Sequence, residues 1–209
     1  GIDLNVFQPL AGGGKEKEAL KEKYGCGGKY VVLGVAGLWT ERKGIACLLD
    51  LAGKLRGDFK LVIIGITEKQ KKGLPQNVAG LTRTSDVQEL AKIYSMADVY
   101  VNTTLEDSFP TTNLEALACG TPVITFNTGG SPESVDNSCG AVVEKGNVDQ
   151  LHNAIIRMKT GPVKWQACLA KAQEFDKKEK YKEYIKLYHD MIAENERITP
   201  SILGGISHV

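Results

Sequence analysis

Tyr30-Val31-Val32-Leu33-Gly34-Val35-Ala36 is a near-continuous apolar run, and Lys60-Leu61-Val62-Ile63-Ile64-Gly65 repeats the pattern further on. Runs of this kind mark strands buried on both faces, as in a parallel sheet. Between them lie a loop from Gly37 to Arg42 and a helical stretch from about Lys43 to Leu55, with Ile45, Leu48, Leu49 and Ala52 as its apolar positions. Strand, loop, helix, strand is the unit from which the rest of the chain is read.

The unit recurs in both directions. Val78 to Leu81 reads as a short third strand. Asp86 to Met96 reads as a helix, with Asp86 or Ser85 as N-cap and Glu89 in reach of a capping box. Asp98 to Asn102, Pro122 to Phe126 and Ala141 to Val143 complete the series of strands. Upstream, Gly12-Gly13-Gly14 precedes a charged helix from about Lys15 to Tyr24. Downstream, Leu151, Ala154, Ile155 and Met158 line one face of a helix that ends at Gly161-Pro162. Phe175, Tyr181, Tyr184, Ile185, Tyr188 and Ile192 form an apolar stripe on a strongly charged helix; residues 195–209 lose the period and read as a tail. Strands alternating with helices argue for an α/β fold, a parallel sheet covered by helices on both faces.

Composition narrows the function. Net charge is +1 over 209 residues, so no global field favours nucleic acid or an anionic membrane, and anion binding requires a local site. No apolar run approaches the roughly 18 residues of a membrane span, and no secretory leader is visible. The five cysteines are odd in number and without a Cys-x-x-Cys pair, so free thiols in a reducing cytosol are expected. His152, His189 and His208 are too scattered for a metal cluster. The start at Gly1 without Met fits a piece of a longer protein.

Ligands of open parallel sheets bind where strand ends meet helix N-termini, and two such junctions are chemically unusual. The first is Gly37-Leu38-Trp39-Thr40-Glu41-Arg42-Lys43-Gly44. Two cations at a helix start oppose the macrodipole by about 0.3–1 kcal/mol each, a penalty that a bound diphosphate reverses. A solvated basic pair beside Glu41 is the bland alternative. The second is Glu106-Asp107-Ser108-Phe109-Pro110-Thr111-Thr112-Asn113-Leu114-Glu115. Pro110 suits a helix start, and Thr111, Thr112 and Asn113 supply hydroxyl, amide and backbone donors. Glu115, followed by Ala116-Leu117-Ala118, is expected to be partly buried and to need donors, which vicinal ribose hydroxyls provide. The alternative makes Asp107 a cap and Glu115 a solvated helix residue.

Taken together, these stretches resemble family 4 glycosyltransferases, whose fold is GT-B. That family's signature places an acidic residue, seven others and a Glu around a Gly-Phe-Gly or Gly-Phe-Pro turn. Asp107-Ser108-Phe109-Pro110 matches the turn and Glu115 the second acid. Leu114 to Ile124 matches the following helix and strand, and Thr128-Gly129-Gly130-Ser131-Pro132-Glu133 the next loop. Gly1 to Pro9 resembles the opening of the C-terminal domain in these enzymes, so the likeness covers nearly the whole chain.

The resemblance implies a Rossmann-like donor-binding domain over residues 1–194, with 175–194 crossing back to an N-terminal acceptor-binding domain. It implies a retaining transfer of sugar from a nucleotide-diphosphate sugar, in surface-glycan or lipopolysaccharide-type synthesis in the cytoplasm, with the full-length protein peripheral at the inner membrane. Arg42 and Lys43 would hold the diphosphate and Asp107 the sugar hydroxyls. Glu115 would take the ribose, Phe109 to Thr112 sugar and phosphate oxygens, and Thr82 and Arg83 the nucleobase. Gly37, Ser108 and Asn113 complete the expected site, with Glu106 standing in for Asp107 if the register slips. The first acid here is Asp, not the usual Glu, and Leu38 replaces an Arg common in relatives, whose charge Arg42 would supply. No Asp-x-Asp occurs in the sequence, so no metal and no other cofactor is expected. Cations and strand-end carboxylates are expected around a common cleft. A nucleotide-sugar epimerase and a non-catalytic nucleotide-binding module are the competing readings.

Overall fold

The computed structural model describes the backbone of residues 1–203 and the side chains of residues 1–194. The chain begins with α1 (Gly13–Lys23), β1 (Tyr30–Val35), α2 (Ile45–Lys54), β2 (Phe59–Ile64), α3 (Glu68–Lys71) and β3 (Val78–Leu81). It continues with α4 (Val87–Met96), β4 (Val99–Asn102), α5 (Thr111–Ala118), β5 (Val123–Phe126), a 3-10 turn (Ser131–Ser134) and β6 (Gly140–Val143). Three helices close it: α6 (Val148–Thr160), α7 (Trp165–Gln173) and α8 (Lys177–Leu203).

The strands form one sheet in the order β3-β2-β1-β4-β5-β6, and every pairing is parallel. This is the Rossmann-like order, in which the direction of winding reverses between β1 and β4. β1 matches β2 along its whole length but meets β4 only through Val32–Val99 and Leu33–Tyr100. The two strands therefore part toward their carboxyl ends, where their loops leave.

Period-two alternation sends neighbouring residues of one strand to opposite faces. Val31 and Leu33 join a core with Ile93, Tyr94, Leu114, Leu117, Cys168 and Ala172 of α4, α5 and α7. Val32, Leu61 and Ile63 join a second core with Leu48 and Leu51 of α2 and Leu151 and Ile155 of α6. β1 and β2 are thus covered on both sides, which is why they read as unbroken apolar runs.

Three expectations need correction. Helix α2 starts at Ile45 rather than Lys43, and its inner face runs through Leu48, Leu51, Ala52 and Leu55, with Leu49 exposed. That spacing is the i, i+3, i+4, i+7 stripe of a helix on a sheet. Phe175 lies between α7 and α8, its ring 5.6 Å from Phe109, so it is not part of the terminal stripe. The helix bearing that stripe continues to Leu203 where a tail was expected from 195; the remainder of that tail, 204–209, lies outside the described residues. Tyr181, Tyr184, Ile185, Tyr188 and Ile192 are all more than half exposed. Helix α7 was not foreseen.

Candidate functional site

The loop after β1 is pinned at several points. Trp39 is buried and its indole N–H donates to the Ile64 carbonyl at the end of β2, 2.8 Å away. Gly44 has φ +74°, and a Cβ there would lie 1.8 Å from the Thr103 carbonyl oxygen. Only glycine allows that approach. The contact brings the β1 loop onto the β4 loop, where Leu105 N–H donates to the Arg42 carbonyl at 2.8 Å and the Thr103 hydroxyl to the Lys43 carbonyl at 3.2 Å. Arg42 and Lys43 thus sit in a turn just before α2.

That union places one cation against one carboxylate. Lys43 Nζ is 2.8 Å from Asp107 Oδ2, with side-chain exposures of 29% and 17%. Arg42 is exposed and has no ion-pair partner among the described residues. Glu106 is also exposed; Asp107 is the acid that meets the lysine. The loop after β5 backs this arrangement. Gly129, at φ +49°, lies so near Asp107 that a Cβ would be 1.7 Å from its carbonyl oxygen, and Gly130 N–H donates to the Ser108 carbonyl at 2.9 Å.

Helix α5 begins directly after this turn. Pro110 is its N-cap, in extended conformation, and no side chain caps the helix; Asn113 N–H donates to the Pro110 carbonyl at 3.2 Å, and among the described residues the N–H groups of Thr111 and Thr112 are left for an acceptor. Thr111 is exposed and Thr112 half-buried. Asn113 departs from expectation: it is fully buried and both ends of its amide are occupied. Its Oδ1 accepts from Asn102 Nδ2 at 2.9 Å, and its Nδ2 donates to Ser134 Oγ at 2.9 Å. Asn102 Oδ1 accepts from Thr104 N–H at 3.0 Å, and Ser134 Oγ donates to the Ser131 carbonyl at 2.8 Å. Asn113 therefore ties β4, α5 and the 3-10 turn together and is not free for a ligand.

Glu115 is half-buried, as its apolar neighbours implied. Its Oε2 accepts from the Tyr94 hydroxyl at 2.9 Å. Burial pushes its carboxyl above the ordinary range, and the Tyr94 hydrogen bond only partly offsets this. Tyr94, Asn102 and Ser134 had escaped notice. Tyr94 lies on an apolar helix face, where a phenol looks like core; the other two give no signal until the chain is folded.

Gly37 is exposed in the β1 loop, and Thr82 and Arg83 are exposed at the carboxyl end of β3. All three share the carboxyl edge of the sheet with Lys43 and Asp107, but β2 separates β3 from β1. The expected cleft is not enclosed by these residues: the site is an open ledge. A cavity of about 710 Å³ opens at the other end of the sheet, beside Tyr30, Asp98 and Pro122, which precede or begin β1, β4 and β5. It includes none of the expected site residues.

An all-parallel sheet in this order, with helices on both faces, defines a Rossmann-like α/β domain. The family model "Glycosyl transferases group 1" matches residues 16–187; the chain belongs to that family. A GDP-mannose-dependent monoacylated alpha-(1-6)-phosphatidylinositol monomannoside mannosyltransferase of Corynebacterium glutamicum is 27% identical over 180 residues, 78% of this chain and 46% of that protein. A GDP-mannose-dependent alpha-(1-6)-phosphatidylinositol monomannoside mannosyltransferase of Mycolicibacterium smegmatis is 31% identical over 173 residues, 74% of this chain and 44% of that one. Among solved structures, Anabaena Alr3699/HepE in complex with UDP and glucose shares the fold with a TM-score of 0.77 at 19% identity, over 91% of this chain and 55% of that one. The chain spans less than half the length of the curated relatives it matches.

Proposed function

We propose that this chain is the donor-binding half of a retaining, metal-independent glycosyltransferase that moves a sugar from a nucleotide-diphosphate sugar to an acceptor in surface-glycan synthesis. The observation that carries the reading is the meeting of Lys43 and Asp107, 2.8 Å apart, at the point where β1 and β4 separate. Breaking a sugar–diphosphate bond builds negative charge on the leaving group and positive charge on the sugar. Fixed groups of opposite sign at those two places lower the barrier. In this reading Lys43, Arg42 and the free N–H groups of Thr111 and Thr112 at the start of α5 would serve the diphosphate, Asp107 the sugar hydroxyls, and Glu115 the ribose. Family membership supports retention. The absence of Asp-x-Asp from the sequence supports work without a metal, with Arg42 and Lys43 supplying the positive charge in its place.

The acceptor and any base acting on it belong to a further domain, which would close the ledge and cover the exposed stripe of α8. No helix of the described residues is long and apolar enough to cross a membrane; a cytoplasmic protein peripheral to the inner membrane fits the lipid-linked acceptors in the names of the two mannosyltransferases. Their names point to a GDP-sugar and the Anabaena complex to a UDP-sugar, so calorimetry of this chain with GDP and UDP is the direct test. Binding is expected to be weak, unchanged by EDTA, and lost in the Arg42→Ala/Lys43→Ala double variant. Wild-type affinity in that variant, or a strict need for Mg²⁺ or Mn²⁺, refutes the site.

A further inference from the structure

Glu115 is held in an unusual way. A half-buried carboxylate ordinarily takes a cationic partner, yet among the described residues no Lys, Arg or His lies within ion-pair distance of it. Among the described residues its carboxylate accepts one hydrogen bond, from the phenol of Tyr94 on a different helix. That phenol is itself rigidly placed. Tyr94 has no exposed surface, its ring meets Tyr100 edge-on at 5.6 Å and Phe7 at 6.2 Å, and its carbonyl accepts from the Thr121 hydroxyl at 2.6 Å. A side chain locked by aromatic contacts on two sides is a fixed donor. Glu115 Oε1, by contrast, has no protein donor among the described residues.

We propose that Tyr94 is a positioning residue: its hydroxyl anchors one oxygen of Glu115 so that the other is presented to hydroxyl donors of the nucleoside end of the sugar donor. The inference rests on the donor-binding reading above. A neutral anchor suits this task better than a cation. It fixes the carboxylate without neutralising the charge that a ribose hydroxyl would meet, and hydrogen bonds to a charged acceptor are the stronger ones. The groups facing Glu115 are Tyr94 from α4, Tyr100 from β4 and Cys119 one turn along α5. Burial raises all three, Cys119 to about 12, so each is neutral where the carboxyl titrates. Removing the phenol then leaves the desolvation of Glu115 unopposed, and its ionisation moves to higher pH.

The test is Tyr94→Phe, which keeps the ring. Binding of GDP and UDP is measured by calorimetry against pH, alongside their 2′,3′-dideoxy analogues. The wild type is expected to favour the ribonucleotides and to lose affinity as pH falls through the Glu115 titration. In Tyr94→Phe the preference for ribonucleotide should shrink by about tenfold, the scale of one hydrogen bond to a charged group, and the midpoint of the acid limb should move up. Glu115→Gln should abolish preference and limb together, and the double variant should be no worse than Glu115→Gln. A merely structural tyrosine lowers the melting temperature and moves neither. An unchanged ribose preference and midpoint in Tyr94→Phe overturns this inference alone; failure of the wild type to bind either nucleotide overturns the donor reading and this with it. If the Phe variant does not fold, the wild type still decides. The Tyr94 ¹³Cζ resonance should titrate with the Glu115 carboxyl, at a midpoint lowered by GDP or UDP, and a resonance indifferent to both refutes the anchor.

Discussion

The two partners of the Lys43–Asp107 pair are expected to respond to mutation in opposite directions. At 2.8 Å and an effective dielectric near 20, their gross attraction is about 6 kcal/mol. Partial exposure, desolvation and side-chain entropy reduce what such a pair contributes to about 1 kcal/mol or less. Removing either member should therefore barely move the unfolding midpoint. Nucleotide binding separates them. A diphosphate arriving at Lys43 competes with Asp107 for the ammonium and is repelled by the carboxylate. Asp107→Asn keeps the shape and removes the competitor, so GDP or UDP should bind about fivefold more tightly, the equivalent of about 1 kcal/mol. Lys43→Ala should weaken the same binding by about tenfold or more, the scale of a charge-assisted hydrogen bond. Calorimetry at low and moderate salt is the assay, and both effects should diminish as salt screens them. Weaker nucleotide binding in Asp107→Asn, parallel to Lys43→Ala, refutes the competition and reduces the pair to scaffolding.

Three further outcomes follow from the same geometry. Gly44→Ala places a methyl 1.8 Å from the Thr103 oxygen at a φ of +74°, and should cost about 1–3 kcal/mol or more in urea unfolding together with nucleotide binding; a near-neutral change means the β1 and β4 loops are not in contact. Asn113→Ala should cost more than Ser134→Ala, with the latter near 1–3 kcal/mol, because losing the amide strands both Asn102 and Ser134; equal or negligible costs in thermal melts deny the buried relay. Glu115→Gln should raise stability at neutral pH while abolishing ribose recognition. The sign follows from its raised folded-state pKa: the folded state favours the protonated acid, so the stability it lends is lost as pH rises through that pKa, and an uncharged amide escapes the loss. A destabilised Glu115→Gln variant at neutral pH contradicts this.

The sheet was legible because burial on both faces writes itself as unbroken apolar runs; all six strands fall on the expected segments. Helix α2 was legible in extent to within two residues, but not in the face it buries. Leu48, Leu49 and Leu51 are chemically alike, and a register that buries Leu51 instead of Leu49 differs by a rotation the pattern barely resolves. Helix α7 carries its buried face on small residues, Cys168 and Ala172, which give almost no periodic signal. Asn113 shows why site chemistry is harder than fold. An amide in the first turn of a helix is equally suited to a ligand or to the protein's own loops, and only the approach of Asn102 and Ser134 decides between them. Whether strand-end groups face an enclosed cleft or an open ledge is likewise a matter of long-range shape that no local pattern contains.

The two carboxylates of the ledge are held by opposite devices, and the contrast separates their roles. Asp107 is neutralised by a lysine, so its charge is uncovered only when something anionic draws that lysine away. Glu115 has no cation paired with it among the described residues; a phenol fixes it and burial works against its ionisation. An acid needed only for stability would gain from a cation in that position, and α5 has no cation in its last turn and no acid in its first. Keeping Glu115 uncompensated costs the fold and gains nothing within it. On the proposed reading the gain lies with a ligand that brings its own hydroxyl donors, while the Lys43–Asp107 pair would answer to the ligand's phosphates. One device would then recognise the neutral part of a nucleotide and the other its charged part, at the end of the sheet where β1 and β4 part.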